Sequence, residues 1–114
     1  MKTALRRISD ALVAFAKEQG WEENEYRILF HVSQKWGRIR VFFVVKGFGD
    51  LSSREMWVRV WDYMENSFKS GPDIGYSVGL SVHERDQVNQ GGAYSIPPGY
   101  VDHKELLLMP SVTD

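Results

Sequence analysis

The sequence predicts an α+β fold: a two-layer sandwich in helix–hairpin–helix–strand order, with a three-stranded sheet and a C-terminal arm. Three observations predict it. Residues 3–19 and 53–70 carry apolar side chains at spacings of three and four, the period of an amphipathic helix. Residues 25–33, 38–46 and 74–82 alternate apolar and polar side chains with period two, as half-buried strands do. Beyond residue 84 both periods stop, and the paired breakers Gly91-Gly92 and Pro97-Pro98 mark a loop or extended arm.

Leu5, Ile8, Leu12 and Phe15 form the stripe of the first helix, with Thr3 as the expected cap and Gly20 placed for a left-handed C-terminal cap. In the first strand Tyr26, Ile28, Phe30 and Val32 share one face, and Arg27, Leu29, His31 and Ser33 the other. Gln34-Lys35-Trp36-Gly37 reads as a hairpin connection. In the second strand Ile39, Val41, Phe43 and Val45 oppose Arg38, Arg40, Phe42, Val44 and Lys46. A corner at Gly47-Phe48-Gly49-Asp50 leads to Ser52-Ser53-Arg54-Glu55, the form of a capping box. The helix that follows ends before Gly71-Pro72, and Trp57, Trp61, Met64 and Phe68 on one line of it are expected in the core. In the third strand Ile74, Tyr76, Val78, Leu80 and Val82 alternate with small and polar residues. A parallel pairing after the crossover would make the sheet mixed. Val101 to Met109 suits a short helix or a short strand equally. Residues 1–87 therefore form the core of one domain. Residues 88–114 form an arm with a short apolar element, packed on the core or on a partner.

A chain of 114 residues suits one domain, and 43% apolar with 25% charged residues suits a folded one. Cysteine is absent, which excludes disulfides and thiol chemistry and agrees with a cytoplasmic setting. A net charge of −1 gives no global attraction for nucleic acid. The N-terminal helix is interrupted by Ser9, Asp10, Lys17 and Glu18, so it has no signal-peptide apolar run, and no stretch has the length of a membrane span.

The second sheet face is the candidate interaction surface. It would present Arg27, Leu29, His31, Arg38, Arg40, Phe42, Val44 and His83, cations interleaved with apolar side chains. An apolar patch on a sheet is usually covered, here by the C-terminal arm or by a second subunit. Uncovered, the same surface would let cations track phosphate while Phe42 stacks a base. His31, His83 and His103 show no metal-binding spacing, and no cofactor is expected. Ser52 and Ser53 are explained as a cap, and no Gly-x-Ser-x-Gly surrounds any serine. An enzyme would need a pocket beside the arm, around Tyr94, Tyr100, Asp102 and His103.

The run Val41-Phe42-Phe43-Val44-Val45, then Phe48-Gly49-Asp50-Leu51-Ser52 with Arg54, then the strand from Ile74 to Val82, resembles the BolA-like family. The order of the preceding helix and hairpin matches as well. The resemblance implies a fold related to the type II KH fold. It carries over no functional residue: no family ligand maps onto a residue here, and the KH-type Gly-x-x-Gly clamp is missing. Without cysteine, iron–sulfur sharing with a glutaredoxin is not carried over either.

The sequence thus predicts an interaction module that binds a protein partner or a second copy of itself, as a homodimer, through the second sheet face and arm. Single-stranded nucleic acid on the basic and aromatic positions is the alternative, and a small enzyme the third.

Overall fold

In the computed structural model, which describes all 114 residues from Met1 to Asp114, the apolar stripe of the N-terminal segment forms helix α1, Lys2–Glu18. It buries Leu5, Ile8, Leu12 and Phe15, as the spacing predicted. Gly20 adopts φ +77°, and the Trp21 N–H donates to the Ala16 carbonyl at 3.0 Å, closing the helix as a Schellman motif does. The start differs from expectation. Thr3 lies inside the first turn, and its N–H and hydroxyl donate to the carboxylate of Asp114 at 2.6 and 2.7 Å. A carboxylate from the far end of the chain thus does the work expected of a Thr3 cap.

Strands β1 (Arg27–Ser33) and β2 (Arg38–Val45) form the expected antiparallel hairpin. Helix α2 spans Ser53–Lys69 behind a complete capping box: the Glu55 N–H donates to Ser52 Oγ at 3.1 Å, and the Ser52 N–H to Glu55 Oε1 at 3.0 Å. Loss of such a cap costs about 1 kcal/mol. Strand β3 (Ser77–Glu84) pairs parallel with β2. It starts later than the alternation suggested, because pairing begins where the Ser77 N–H reaches the Gly37 carbonyl at 2.9 Å. Ile74 and Tyr76 pack on the core without joining the ladder.

The C-terminal segment is more ordered than a loop or arm. It holds helix α3 (Arg85–Gln90), strand β4 (Val101–Asp102) and helix α4 (His103–Leu108). Helix α3 carries a single buried apolar residue, Val88, too little to leave a period in the sequence. The segment that suited helix and strand equally contains one of each. Strand β4 pairs antiparallel with β1 through Leu29–Asp102 and Phe30–Val101, so the sheet has four strands in the order β3-β2-β1-β4, and it is mixed. The three-stranded expectation missed β4 because 2 residues cannot show alternation.

The main core lies between one sheet face and helices α1 and α2. Ile28, Phe30, Ile39, Val41, Phe43 and Val45 are each no more than 1% exposed there. Leu106 and Val112 join the same core beside Met1, so the C-terminal segment packs on its own domain. A radius of gyration of 13.7 Å, against about 13 Å for a compact chain of this length, agrees with that. The opposite face is not bare, so helices over an open sheet do not describe the whole fold. No helix is long and apolar enough to cross a membrane.

The expected core line of α2 needs correction. Met56, Val60 and Met64 are its buried residues, while Trp57, Trp61 and Phe68 are only partly buried. The two tryptophan rings stack at 5.4 Å, and Trp57 Nε1 donates to the Leu80 carbonyl at 2.7 Å. Groups on successive residues of a parallel strand point alternately to its two sides. Since Ser77 faces β2, the Leu80 carbonyl faces the free edge. Trp57 therefore covers the middle of that edge, where an open strand would invite pairing.

Candidate functional site

Cross-strand partners share a face, so the ladder fixes the layout of the second sheet face. Its rows run Ser33–Arg38–Ser77, His31–Arg40–Gly79, Leu29–Phe42–Ser81 and Arg27–Val44–His83. The predicted surface is divided between these rows.

Leu29, Phe42 and Val44 are 3%, 3% and 1% exposed. Val88 of α3 and the half-buried Ile96 and Tyr100 close over them. Tyr100 meets Phe42 edge-on at 5.5 Å, and His83 stacks flat on Phe42 at 3.9 Å. His83 Nε2 is buried without a hydrogen-bond partner, and burial pushes the imidazole pKa below its ordinary value. A neutral ring is the form that such a setting favours. These four residues are thus not an open interaction face. The apolar patch is covered by the chain's own arm, which supplies enough apolar surface to bury it.

The open half holds His31, Arg38 and Arg40, all exposed. Trp36, at the hairpin tip, is 68% exposed, and the Lys35 ammonium lies 5.3 Å from its ring centre. A groove of about 360 Å³ runs between His31, Ser33, Trp36, Arg38 and Arg40. Beside it, at Gly79 next to Arg40, the sheet is uncovered, since an added Cβ would meet nothing within 4 Å. None of Lys35, Arg38 and Arg40 belongs to an ion pair. Gly99, at φ +91°, packs its backbone against the His31 ring, where an added Cβ would come within 3.2 Å of it. The arm therefore borders the groove without filling it.

Arg27 is exposed but stands at the far end of the face, beyond Val44, and does not join this group. Sequence reasoning treated Lys35 and Trp36 only as a turn. The available signal was a tryptophan at a hairpin tip between Lys35 and Gly37-Arg38, a position from which a large ring cannot reach the core.

The residues suggested for an enzyme pocket are not gathered. Tyr100 lies over the sheet, and Tyr94, 50% exposed, lines a cavity of about 640 Å³ with His83 and Ser53. Asp102 and His103 line a different cavity. The histidines are equally scattered: His31 packs on Tyr100, His83 on Phe42, and His103 is hydrogen-bonded to Ser9. No cluster of three or more metal-ligating side chains is formed. Comparison of the chain with protein-family models, curated proteins and solved structures finds no match.

Proposed function

We propose that the chain binds a short stretch of single-stranded nucleic acid across the open half of the second sheet face. One observation carries the reading: Arg38 and Arg40, in no ion pair, line one groove with the exposed ring of Trp36, which the Lys35 ammonium approaches to 5.3 Å. Cations on such a surface track phosphates, and an aromatic face stacks a base without regard to its identity. Stacking of this kind contributes about 1–3 kcal/mol per base. Because the net charge is −1, the attraction is local and therefore sensitive to salt. Trp36, in place of the buried Phe42, supplies the stacking ring. A BolA-like, KH-like kinship and a cytoplasmic setting belong to the same reading.

Fluorescence anisotropy with a labelled oligouridylate at low salt tests the proposal. Saturable binding that is weakened in the Arg38→Ala/Arg40→Ala variant supports it. No binding, or equal binding by that variant, overturns it.

A second reading, association with a protein partner or a second copy, has a different support. Leu29, Phe42 and Val44 are closed only by the small cluster around Val88, Ile96 and Tyr100. Displacing that cover would offer an apolar surface to a partner. An Ile96→Ala/Tyr100→Ala variant is then expected to gain mass by light scattering as its concentration rises; a constant monomer mass would sink this reading.

A further inference from the structure

The cavity of about 640 Å³ lies at the carboxyl ends of the parallel strands β2 and β3, opposite the end that holds the Trp36 groove. That volume falls within the range of about 300–1,000 Å³ usual for small-molecule sites. A strand–helix–strand crossover leaves a crevice at this end of its strands, as open parallel sheets do. Three parts of the chain wall it. Phe48 and Leu51 come from the corner before α2 and are anchored on the main core. Val82 and Glu84 come from the end of β3, and Tyr94 from the arm.

The lining has one sign of charge. Glu84 is its only carboxylate, and no lysine or arginine belongs to it. Burial favours the neutral form of His83, which also lines the space. Glu84 is half-buried, joins no ion pair, and does not cap α3 although it holds the N-cap position. The cations beside it in the chain and across the ladder are matched to other carboxylates, Arg85 to Asp86 and Lys46 to Glu25. The N-terminus of α2 does not answer it either, because the Glu55 carboxylate closes that first turn. The backbone adds a second acceptor. Peptide groups of alternate residues on β3 face its free edge, so Val82 shares that side with Leu80. Trp57 takes the Leu80 carbonyl, whereas Val82 lies in the cavity lining.

We infer that this cavity is a binding site for a small aromatic amine in its ammonium form. The ammonium donates to the Glu84 carboxylate and the Val82 carbonyl, and the ring lies against Phe48 and Tyr94. A neutral analogue leaves the half-buried carboxylate unanswered, and an anion is repelled by it, so charge sets the selectivity. The Trp36 groove, lined by Arg38 and Arg40, repels the same ligand. The two ends of the parallel strands therefore take ligands of opposite charge.

Nuclear magnetic resonance titration with phenethylamine, tyramine and tryptamine tests the site, with 2-phenylethanol as the uncharged counterpart. The expected result is saturable shifts of the Val82, Glu84 and Tyr94 amides with at least one amine. Binding of 2-phenylethanol is expected to be weaker than that of phenethylamine by about tenfold or more. Glu84→Gln keeps the size of the side chain and removes its charge, and is expected to weaken amine binding by about tenfold or more. Tyr94→Ala changes an exposed side chain and is expected to weaken it as well. The inference is overturned if none of the three amines gives saturable shifts up to about 10 mM, or if the shifts centre on the Trp36 groove. Equal affinity for 2-phenylethanol and phenethylamine, or unchanged amine affinity in either variant, also overturns it.

Discussion

The imidazole of His83 lies flat on the ring of Phe42, with centroids 3.9 Å apart and planes 9° from parallel. This contact, on β3 and β2, lies in the part of the second sheet face that the arm covers. Toward Ser81 and His83 the face is roofed; toward Ser77 and Gly79 it is open.

Phe42→Glu would bury a carboxylate under the arm and remove the ring on which His83 and Tyr100 pack. A loss of about 3 kcal/mol in stability is expected from burial of such a group. Limited proteolysis should then cut within residues 85–100 at protease levels that leave the parent chain whole. An unchanged cleavage pattern would mean that Phe42 does not hold the arm.

Acid should weaken the fold. Burial lowers the pKa of both His83 and His103 from the ordinary 6.5. The unfolded chain therefore takes up protons first as pH falls. Their contribution is complete above the unfolded value of 6.5 and is lost as pH drops from there through the folded values. The urea midpoint should be level above about pH 7.5 and fall toward about pH 5. His83→Phe keeps the stack and removes the orphaned nitrogen, so its midpoint should fall less. A wild-type midpoint independent of pH across that range would contradict the assignment.

At the chain termini the direction is the same but the cause differs, since folding there favours the charged form. The N–H and hydroxyl of Thr3 hold the Asp114 carboxyl at about 2, below its ordinary 3.8. Its contribution is present above 3.8 and is lost as pH falls through about 2. The contact therefore persists at neutral pH. Asp114→Asn should speed amide hydrogen exchange in the first turn of α1, at Thr3 above all, and leave β2 unchanged. Equal exchange at Thr3 would show that the carboxylate does not cap the helix.

On α2, Met64→Ala should cost about 2–5 kcal/mol, the range for a buried aliphatic side chain. Trp61→Ala should cost less than the roughly 3–5 kcal/mol of a fully buried aromatic, because its ring stacks on Trp57 at the sheet edge and stays partly exposed. Urea unfolding of both variants checks the order; a larger loss for Trp61→Ala would place it in the core after all.

The regular part of the fold was legible because period and caps agreed. The stripe of Leu5, Ile8, Leu12 and Phe15, the Ser52–Glu55 box and the alternation of β1 and β2 each specify one local geometry. Strand β4 was not legible, since Val101 and Asp102 are too few to alternate. Nor was α3, where Val88 alone faces the sheet. The helix line in α2 was misread by one step, because Trp57 and Trp61 are large enough to look like core and polar enough to lie at an edge, with an indole N–H to place. The candidate site was half legible. Arg38 and Arg40 follow from strand alternation. Burial of Leu29, Phe42 and Val44 depends on where residues 88–100 return, a long-range choice that no local pattern encodes.

The salt dependence of single-strand binding tests the central claim most directly. Single strands give a slope of log K against log salt of about −0.7 per neutralised phosphate. With Lys35, Arg38 and Arg40 each on one phosphate, the slope should be about −2, and removal of both arginines should bring it to about −0.7. Binding with no salt dependence, or a slope unchanged in the Arg38→Ala/Arg40→Ala variant, would contradict an interface on the open half of the sheet.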